Sequence, residues 1–570
     1  MNPNLHLVET LDDALELRRW AGERRPVLAI DTETGGLDFW SEPLRLVVLG
    51  DTRDGWAIPW HPWAGAALEV LDAYDGPTVF HNAKFDVHFL ETNGVRVRRD
   101  RLNDTGIAAH LLDPTSRHGL KFLAAQHVDS RSAVGQERLK DGMREHGWTW
   151  RTVPVEFPPY WTYAALDGVL TAALWEKFEP EIDAHYRDLY DMEVAVAMLL
   201  ADMERRGARI DRIYCHTKAT ELIHFVAETR EWVVENYAVN PTSNRQVVER
   251  LQADGVTLTK RTDSGAFSVD EEVLAGLDHP LAASVLRIRE AQKFEKTYFS
   301  KFLELADGDR LHCSINPLGA RTGRMSISRP SLQNVPRTAH VRDAFIPSEG
   351  GRLVSCDFDQ IELRLLAHFA QETSMIEAIR DGVDLHGHTA RLVFGDGFTK
   401  AHRQIAKGGN FAKVYGAGAA KFGQTVGISE PEAQAFMTRY EAAFPGVATF
   451  MRTVEAVAQQ RAADEGAAYV KSPAGRRHPL DVRSLYKGVN YLIQGTAADV
   501  LKKAILDLDA AGLGEFLVLP VHDEVIADVP EADAAAVAAE IGRVMTDEAT
   551  YAVPLTASAD VVERWGEKYR

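Results

Sequence analysis

Residues 352–364 read Arg-Leu-Val-Ser-Cys-Asp-Phe-Asp-Gln-Ile-Glu-Leu-Arg. The apolar run up to Asp357 reads as a strand over 352–357, and the apolar spacing after it as a helix over 360–369. An aspartate therefore stands where a strand gives way to a helix. Asp359 and Glu362, three apart ahead of an apolar run, predict a capping box with Asp359 as N-cap and Glu362 as N3. Far along the chain, Val521-His522-Asp523-Glu524-Val525 lies between two apolar runs and reads as the turn of a hairpin over 516–529. Two strand-end aspartates from distant sequence can hold a pair of divalent ions of the kind that serves nucleotidyl transfer.

Between these segments a long helix is expected over 399–415. Arg403, Lys407, Phe411 and Tyr415 recur at four-residue spacing and make one slowly drifting stripe. Two cations and two aromatics on a stripe can grip a triphosphate and pack against a base and sugar. A core-facing stripe would not carry Arg403 and Lys407.

A second acidic constellation stands near the N-terminus. The apolar run 27–30 ends in Asp31-Thr32-Glu33, and residues i and i+2 of a strand share a face, so both carboxylates point one way. Asp86 and Asp167 recur in helix-like contexts, with Tyr163 four residues before the latter. A lone Asp-x-Glu after a strand is more often a cap or a surface acid; the ordered set is far more specific. Four carboxylates suit Mg²⁺ or Mn²⁺ rather than zinc. Around them, 44–49 and 56–60 read as a hairpin, and 107–112 and 162–175 as helices, an α/β pattern.

The chain has 570 residues, too many for one core, so three or four structural units are expected. From 191 to 305 the pattern is helical with no strand, and 240–243 reads as a turn capping the next helix. The alanine-rich 531–540 reads as a surface helix. A net charge of −19 argues against nucleic-acid binding only if cations do not cluster, and they do. Lys400, Arg403, Lys407 and Lys413 form one basic stretch, and Lys471, Arg476, Arg477, Arg483 and Lys487 another. No run of 18 apolar residues and no secretion signal is present, and three dispersed cysteines suit a reducing cytoplasm.

The N-terminal set resembles the DEDDy exonucleases, which implies Asp31, Glu33, Asp86 and Asp167 as metal ligands and Tyr163 as the residue orienting the attacking water. Thr322-Gly323-Arg324, 332–336, 357–364, 403–416, Gln494-Gly495-Thr496-Ala497-Ala498-Asp499 and 521–524 stand in the order seen in family A DNA polymerases, the family of bacterial DNA polymerase I. The resemblance spans about 29 to 565. It implies an RNase H-like exonuclease module followed by a right hand, a multidomain α/β and α+β fold. The expected division is exonuclease 1–185, thumb 186–312, palm 313–375 and 495–570, and fingers 376–494.

The same resemblance implies template-directed synthesis with 3′–5′ proofreading, with two Mg²⁺ or Mn²⁺ ions per site. In the palm these ions would be held by Asp357, the Phe358 carbonyl and Asp523, with Glu524 nearby. Arg403, Lys407, Phe411, Tyr415, His386 and Gln360 would meet the nucleotide, and Glu362 would exclude a ribose 2′-hydroxyl. Arg324, Arg342, Arg477, Asn490 and Gln494 would touch DNA. Primer-template DNA and deoxynucleoside triphosphates are the expected partners, for a cytoplasmic monomer without a thioredoxin-type processivity factor. An exonuclease with a weakened polymerase, or a non-catalytic clamp, are the rivals; complete acid sets disfavour the clamp, because clustered carboxylates repel without metal.

Three features depart from the family pattern. Phe358-Asp359 replaces Tyr-Ser and adds a carboxylate near Asp357. Gly408-Gly409 predicts a softer helix there, since each glycine costs about 1 kcal/mol in a helix interior. About 30 residues precede Asp31, too few for a 5′ nuclease domain.

Overall fold

A six-stranded mixed sheet organises the N-terminal part of the chain, and a four-stranded antiparallel sheet the C-terminal part. The computed structural model describes residues 2–23, 25–132, 134–336 and 339–569. The first sheet contains β1 (Asn4–Leu7), β2 (Leu28–Thr34), β3 (Leu44–Gly50), β4 (Asp54–Pro59), β5 (Thr78–Phe80) and β6 (Leu102–Asp104), in the spatial order β1-β4-β3-β2-β5-β6. Strand β2 is central, antiparallel to β3 and parallel to β5. It continues past Asp31 through Thr34, so the acids lie within a paired strand rather than at its end; Asp31 stands opposite Val48 and Glu33 opposite Leu46. Apolar periodicity misses this extension because the inserted residues are polar.

The Pro158–His185 helix lies against this sheet. Glycine makes the close approach possible: a Cβ at Gly55 of β4 would run into the Ala165 carbonyl, and one at Gly168 would stand 2.9 Å from Val48. The close fit brings Asp167 down onto β2. Asp86 is on the first turn of the Ala83–Thr92 helix, and Asp167 is well inside its own.

Helices Arg187–Arg206, Arg212–Tyr237, Asn244–Ala253 and Pro280–Phe294 follow. Ser243 accepts from Gln246 N and caps the Asn244 helix, as its turn sequence predicts. One strand interrupts the helical stretch against expectation: Ala208–Arg209 pairs antiparallel with Arg310–Leu311. Two residues carry no readable periodicity.

The second sheet runs Leu517–Val521, Glu524–Pro530, Gly351–Phe358, Ala557–Val562, all antiparallel. The Ala534–Met545 helix lies against it on one face, burying Ala534, Ala538, Ile541 and Met545, while most of the alanine-rich 531–540 stays exposed, as a surface helix would. The Lys400–Val414 helix is capped by Thr399 and runs unbroken through Gly408-Gly409. A Cβ at Gly408 would collide with Val426, and one at Gly409 with Phe436. The glycines allow close packing of this helix against Val426 and Phe436.

Candidate active sites

One cleft, of about 760 Å³, gathers the C-terminal motifs. Asp357, Asp523, Gln360, Glu362, His386, Arg403, Lys407, Phe411, Tyr415 and Arg324 all line it. Asp357 comes from the end of the Gly351–Phe358 strand and Asp523 from the turn of the neighbouring hairpin. That turn is sharp, with His522 at φ 59° and its N–H bonded to Gln333 Oε1 at 3.1 Å.

The stripe on the Lys400–Val414 helix faces this cleft, while Ala406, Gly409, Asn410 and Lys413 are buried on its other side. Phe411 and Tyr415 lie near-parallel, 6.4 Å apart, and His386 stands 6.0 Å from Phe411. Burial pulls the His386 imidazole down to about 4, with Lys407 and Arg403 adding to it, so this ring is neutral at physiological pH. Its Nδ1 is 3.0 Å from Asn410 Nδ2. Arg403 donates to both oxygens of Asp384, at 2.7 and 3.0 Å. Lys413 is not part of a basic face: it is buried on Glu441 at 2.6 Å.

The predicted capping box does not form. Gln360, at φ 49°, is the N-cap residue and makes no side-chain cap bond. The left-handed step carries Asp359 toward the edge strand, where its carboxylate accepts from the Thr556 and Ser558 hydroxyls at 2.6 and 2.8 Å. Glu362 is thereby free of capping and reaches the cleft, where it accepts from Arg324 and, at 3.3 Å, from the Tyr415 hydroxyl.

Two expected site residues are buried. Glu524 is 3 % exposed and Arg342 2 %. Glu524 stands directly opposite Asp357 in the antiparallel ladder, so the two side chains share a face, with Glu524 the more deeply buried. It accepts from Ser355, from Trp565 Nε1 at 3.0 Å and from Tyr569 at 3.0 Å. The Arg342 guanidinium lies 4.1 Å from the Trp565 ring and 4.3 Å from the Tyr569 ring, with Nη1 3.4 Å from Glu524. The predicted DNA contact and the predicted catalytic acid are one buried ion pair. Asn490 Nδ2 is buried with no hydrogen-bond partner among the described residues. Arg477 is away from the cleft lining, 5.0 Å from the Tyr469 ring and 6.0 Å from Tyr186. Arg476, read as surface charge, is enclosed with Glu193 and Asp499.

In the N-terminal sheet, carboxylate oxygens of Asp31, Glu33 and Asp167 lie within 4.8 Å of one another. Asp86 stands behind them and accepts from the Thr32 hydroxyl at 2.7 Å. Burial raises the Asp31 carboxyl to about 7, partly offset by Lys121. Burial, then the Asp31 charge, lift Glu33 and Asp86 well above the carboxylate range. Buried, mutually repelling oxygen donors at this spacing fit a hard divalent cation, whose charge would let them ionise together. Burial likewise keeps the Tyr163 phenol protonated. Lys121, from the Leu120–His127 helix, was not foreseen. Its ammonium bonds Asp167 and lies 4.2 Å from the Tyr163 ring centroid. A single lysine in a short apolar helix between two acidic motifs is the only signal the sequence offers.

Residues 215–567 match the family described as DNA polymerase family A, and 6–183 match 3′-5′ exonuclease. The DNA polymerase of Mycobacterium phage D29 is 32 % identical, the match covering 99 % of this chain and 97 % of that one. The DNA polymerase of Mycobacterium phage L5 is 31 % identical with the same coverage. Thermostable DNA polymerase I of Thermus aquaticus is 34 % identical over 70 % of this chain and 51 % of its own. Among solved structures, the POL domain of Pol1 from M. smegmatis in complex with DNA primer-template and dNTP superposes with a TM-score of 0.81 at 26 % identity, covering 99 % of both chains.

Proposed function

The chain belongs to DNA polymerase family A and carries a 3′–5′ exonuclease domain, and from that premise we propose how its residues divide the work of extending and trimming a primer. The observation that carries the reading is the cleft in which two aspartates, two cations and two aromatics meet, apart from the acid trio of Asp31, Glu33 and Asp167.

Two Mg²⁺ or Mn²⁺ ions would be held by Asp357, Asp523 and the Phe358 carbonyl in the cleft, and two by Asp31, Glu33, Asp167 and Asp86 in the exonuclease. Bound there, such ions stabilise the attacking and leaving oxygens of a phosphoryl transfer. Lys407 and Arg403 take the triphosphate, Arg403 exchanging Asp384 for phosphate. Neutral His386 offers a hydrogen bond without charge. Phe411 and Tyr415 pack against the incoming sugar and base, and Glu362, anchored by Arg324, fills the space a 2′-hydroxyl would need. Arg324, Asn490 and Gln494 face the nascent pair, and Tyr163 orients the hydrolytic water. Glu524, opposite Asp357 in the ladder, stays beside the metal-holding aspartates, and Arg342 holds it in place as its buried ion-pair partner.

The exonuclease module is assigned to 1–185 and the thumb to 186–312. Divisions at 375 and 494 would cut the Thr373–Arg380 and Lys487–Ala510 helices. A continuous helix moves as one body, so the fingers are drawn from 373 to 486, between palm segments. The partners are primer-template DNA, as in the solved relative's complex, and deoxynucleoside triphosphates; the enzyme acts as a cytoplasmic monomer without a thioredoxin-type factor. Among the described residues no helix is long and apolar enough to cross a membrane.

A 5′-labelled primer on a longer template tests the reading. With Mg²⁺ and all four deoxynucleotides the primer lengthens; with Mg²⁺ alone it shortens; with chelator it does neither. A primer unchanged under all three conditions would contradict it.

A further inference from the structure

The exonuclease acids share their space with an ammonium that the family motifs do not include. The Lys121 side chain is 13 % exposed and bonds Asp167, one of the three carboxylates whose oxygens cluster within 4.8 Å. Asp31 and Glu33 also act on its charge, and it stands over the Tyr163 ring. One side chain thus engages a metal-ligand carboxylate, feels the other two, and covers the residue assigned to the water.

The ammonium occupies one acceptor site of the Asp167 carboxylate, and a resident positive charge weakens the attraction of the trio for a second cation. Lysine is suited to exchange partners, because its point charge sits on a flexible stem and has no fixed fork geometry. The incoming 3′ end brings phosphate oxygens, which are an alternative partner for the same ammonium.

We propose that Lys121 is a built-in competitor of the exonuclease metal: it holds Asp167 until substrate phosphate draws it away, so that tight metal binding follows DNA binding. The inference rests on reading the acid trio as the exonuclease site. Lys121 is a positioning residue in this account, and DNA entry is the event that frees the carboxylate.

The test is Mn²⁺ titration of the full chain, followed by electron paramagnetic resonance, with Asp357→Asn and Asp523→Asn present to remove the ligands of the other site. Without DNA, Lys121→Met should bind Mn²⁺ about tenfold tighter than this parent. Lys121→Arg, which keeps the charge, should bind no tighter than the parent. A single-stranded oligonucleotide should tighten Mn²⁺ binding in the parent and much less in Lys121→Met. Should Lys121→Met not fold, Lys121→Gln replaces it with the same expectation. Equal or weaker affinity in the neutral variants overturns the competition and leaves the exonuclease site standing. Parent Mn²⁺ binding that is indifferent to Asp31→Asn with Glu33→Asn overturns both.

Discussion

The backbone N–H of Phe358 donates to the carbonyl oxygen of Asp523 at 3.2 Å. That bond fastens the end of one strand to the turn of the next, at the point where each contributes an aspartate. Asp357 stands opposite Glu524 in the same ladder. The spacing of the two carboxylates is therefore set by sheet pairing and by a tight turn bonded to it, the arrangement that holds a charged site in place before its ligands arrive.

Beneath this ladder the Arg342–Glu524 pair should matter for stability. Arg342→Ala leaves Glu524 buried without its guanidinium and should cost about 3 kcal/mol. Removing both partners should cost less than the sum of the single changes. Urea unfolding of the three variants measures this. An Arg342→Ala protein of normal stability but weakened DNA binding would return Arg342 to the DNA surface.

Gly409→Ala pits helix propensity against packing. Alanine gains about 1 kcal/mol in a helix interior, whereas forcing a methyl into the Phe436 ring costs about 1–3 kcal/mol. Because the neighbouring atoms are a packed ring and not a flexible tip, a lower melting temperature is expected. A higher one would mean that the glycines serve bending after all.

Phe411 lines the nucleotide cleft and offers no hydroxyl. The nucleotide's own 3′-hydroxyl can then fill a polar gap beside its triphosphate. A dideoxynucleotide leaves that gap unfilled, at about 1–3 kcal/mol, which is a bias of about tenfold to a hundredfold against terminators. In Phe411→Tyr the phenol supplies the missing group, so terminators should approach normal substrates. Termination ladders at a fixed dideoxy-to-deoxy ratio read this directly, and equal resistance in both enzymes would remove Phe411 from the sugar pocket.

Two buried histidines set a pH dependence of folding. Burial holds His110 and His478 at about 3. A pKa depressed on folding gives stability that is present above the unfolded value, about 6.5. It is lost as pH falls from there toward 3. At pH 5 each should cost about 2 kcal/mol relative to pH 8. Urea midpoints at the two pH values check the sum, and His110→Gln or His478→Gln should flatten the fall. A midpoint unchanged between pH 8 and 5 would mean that both rings accept protons in the folded state.

Much of this was legible because the motifs carry charge where apolar spacing predicts a face. Arg403 and Lys407 on the stripe of Phe411 and Tyr415 could not be core, and Asp31 and Glu33 at i and i+2 had to share a side. What escaped depends on tertiary pairing. Glu524 follows Asp523 by one residue, and only the ladder shows that it pairs across from Asp357 and is buried with Arg342. Asp359 looked like a cap until the left-handed Gln360 moved it to Thr556 and Ser558. Lys413 and Arg476 read as solvated charge because their partners, Glu441 and Glu193, are distant in sequence. Lys121 carries no motif at all; its meaning comes from Asp167.

The central claim is that one chain holds two independent phosphoryl-transfer sites. The direct measurement is a labelled-primer assay on Asp31→Ala with Glu33→Ala beside Asp357→Ala, each confirmed folded by circular dichroism. The first protein should extend the primer at nearly the wild-type rate and lose all shortening without deoxynucleotides. The second should shorten the primer and add nothing. Loss of extension in the folded Asp31→Ala, Glu33→Ala protein would contradict the account.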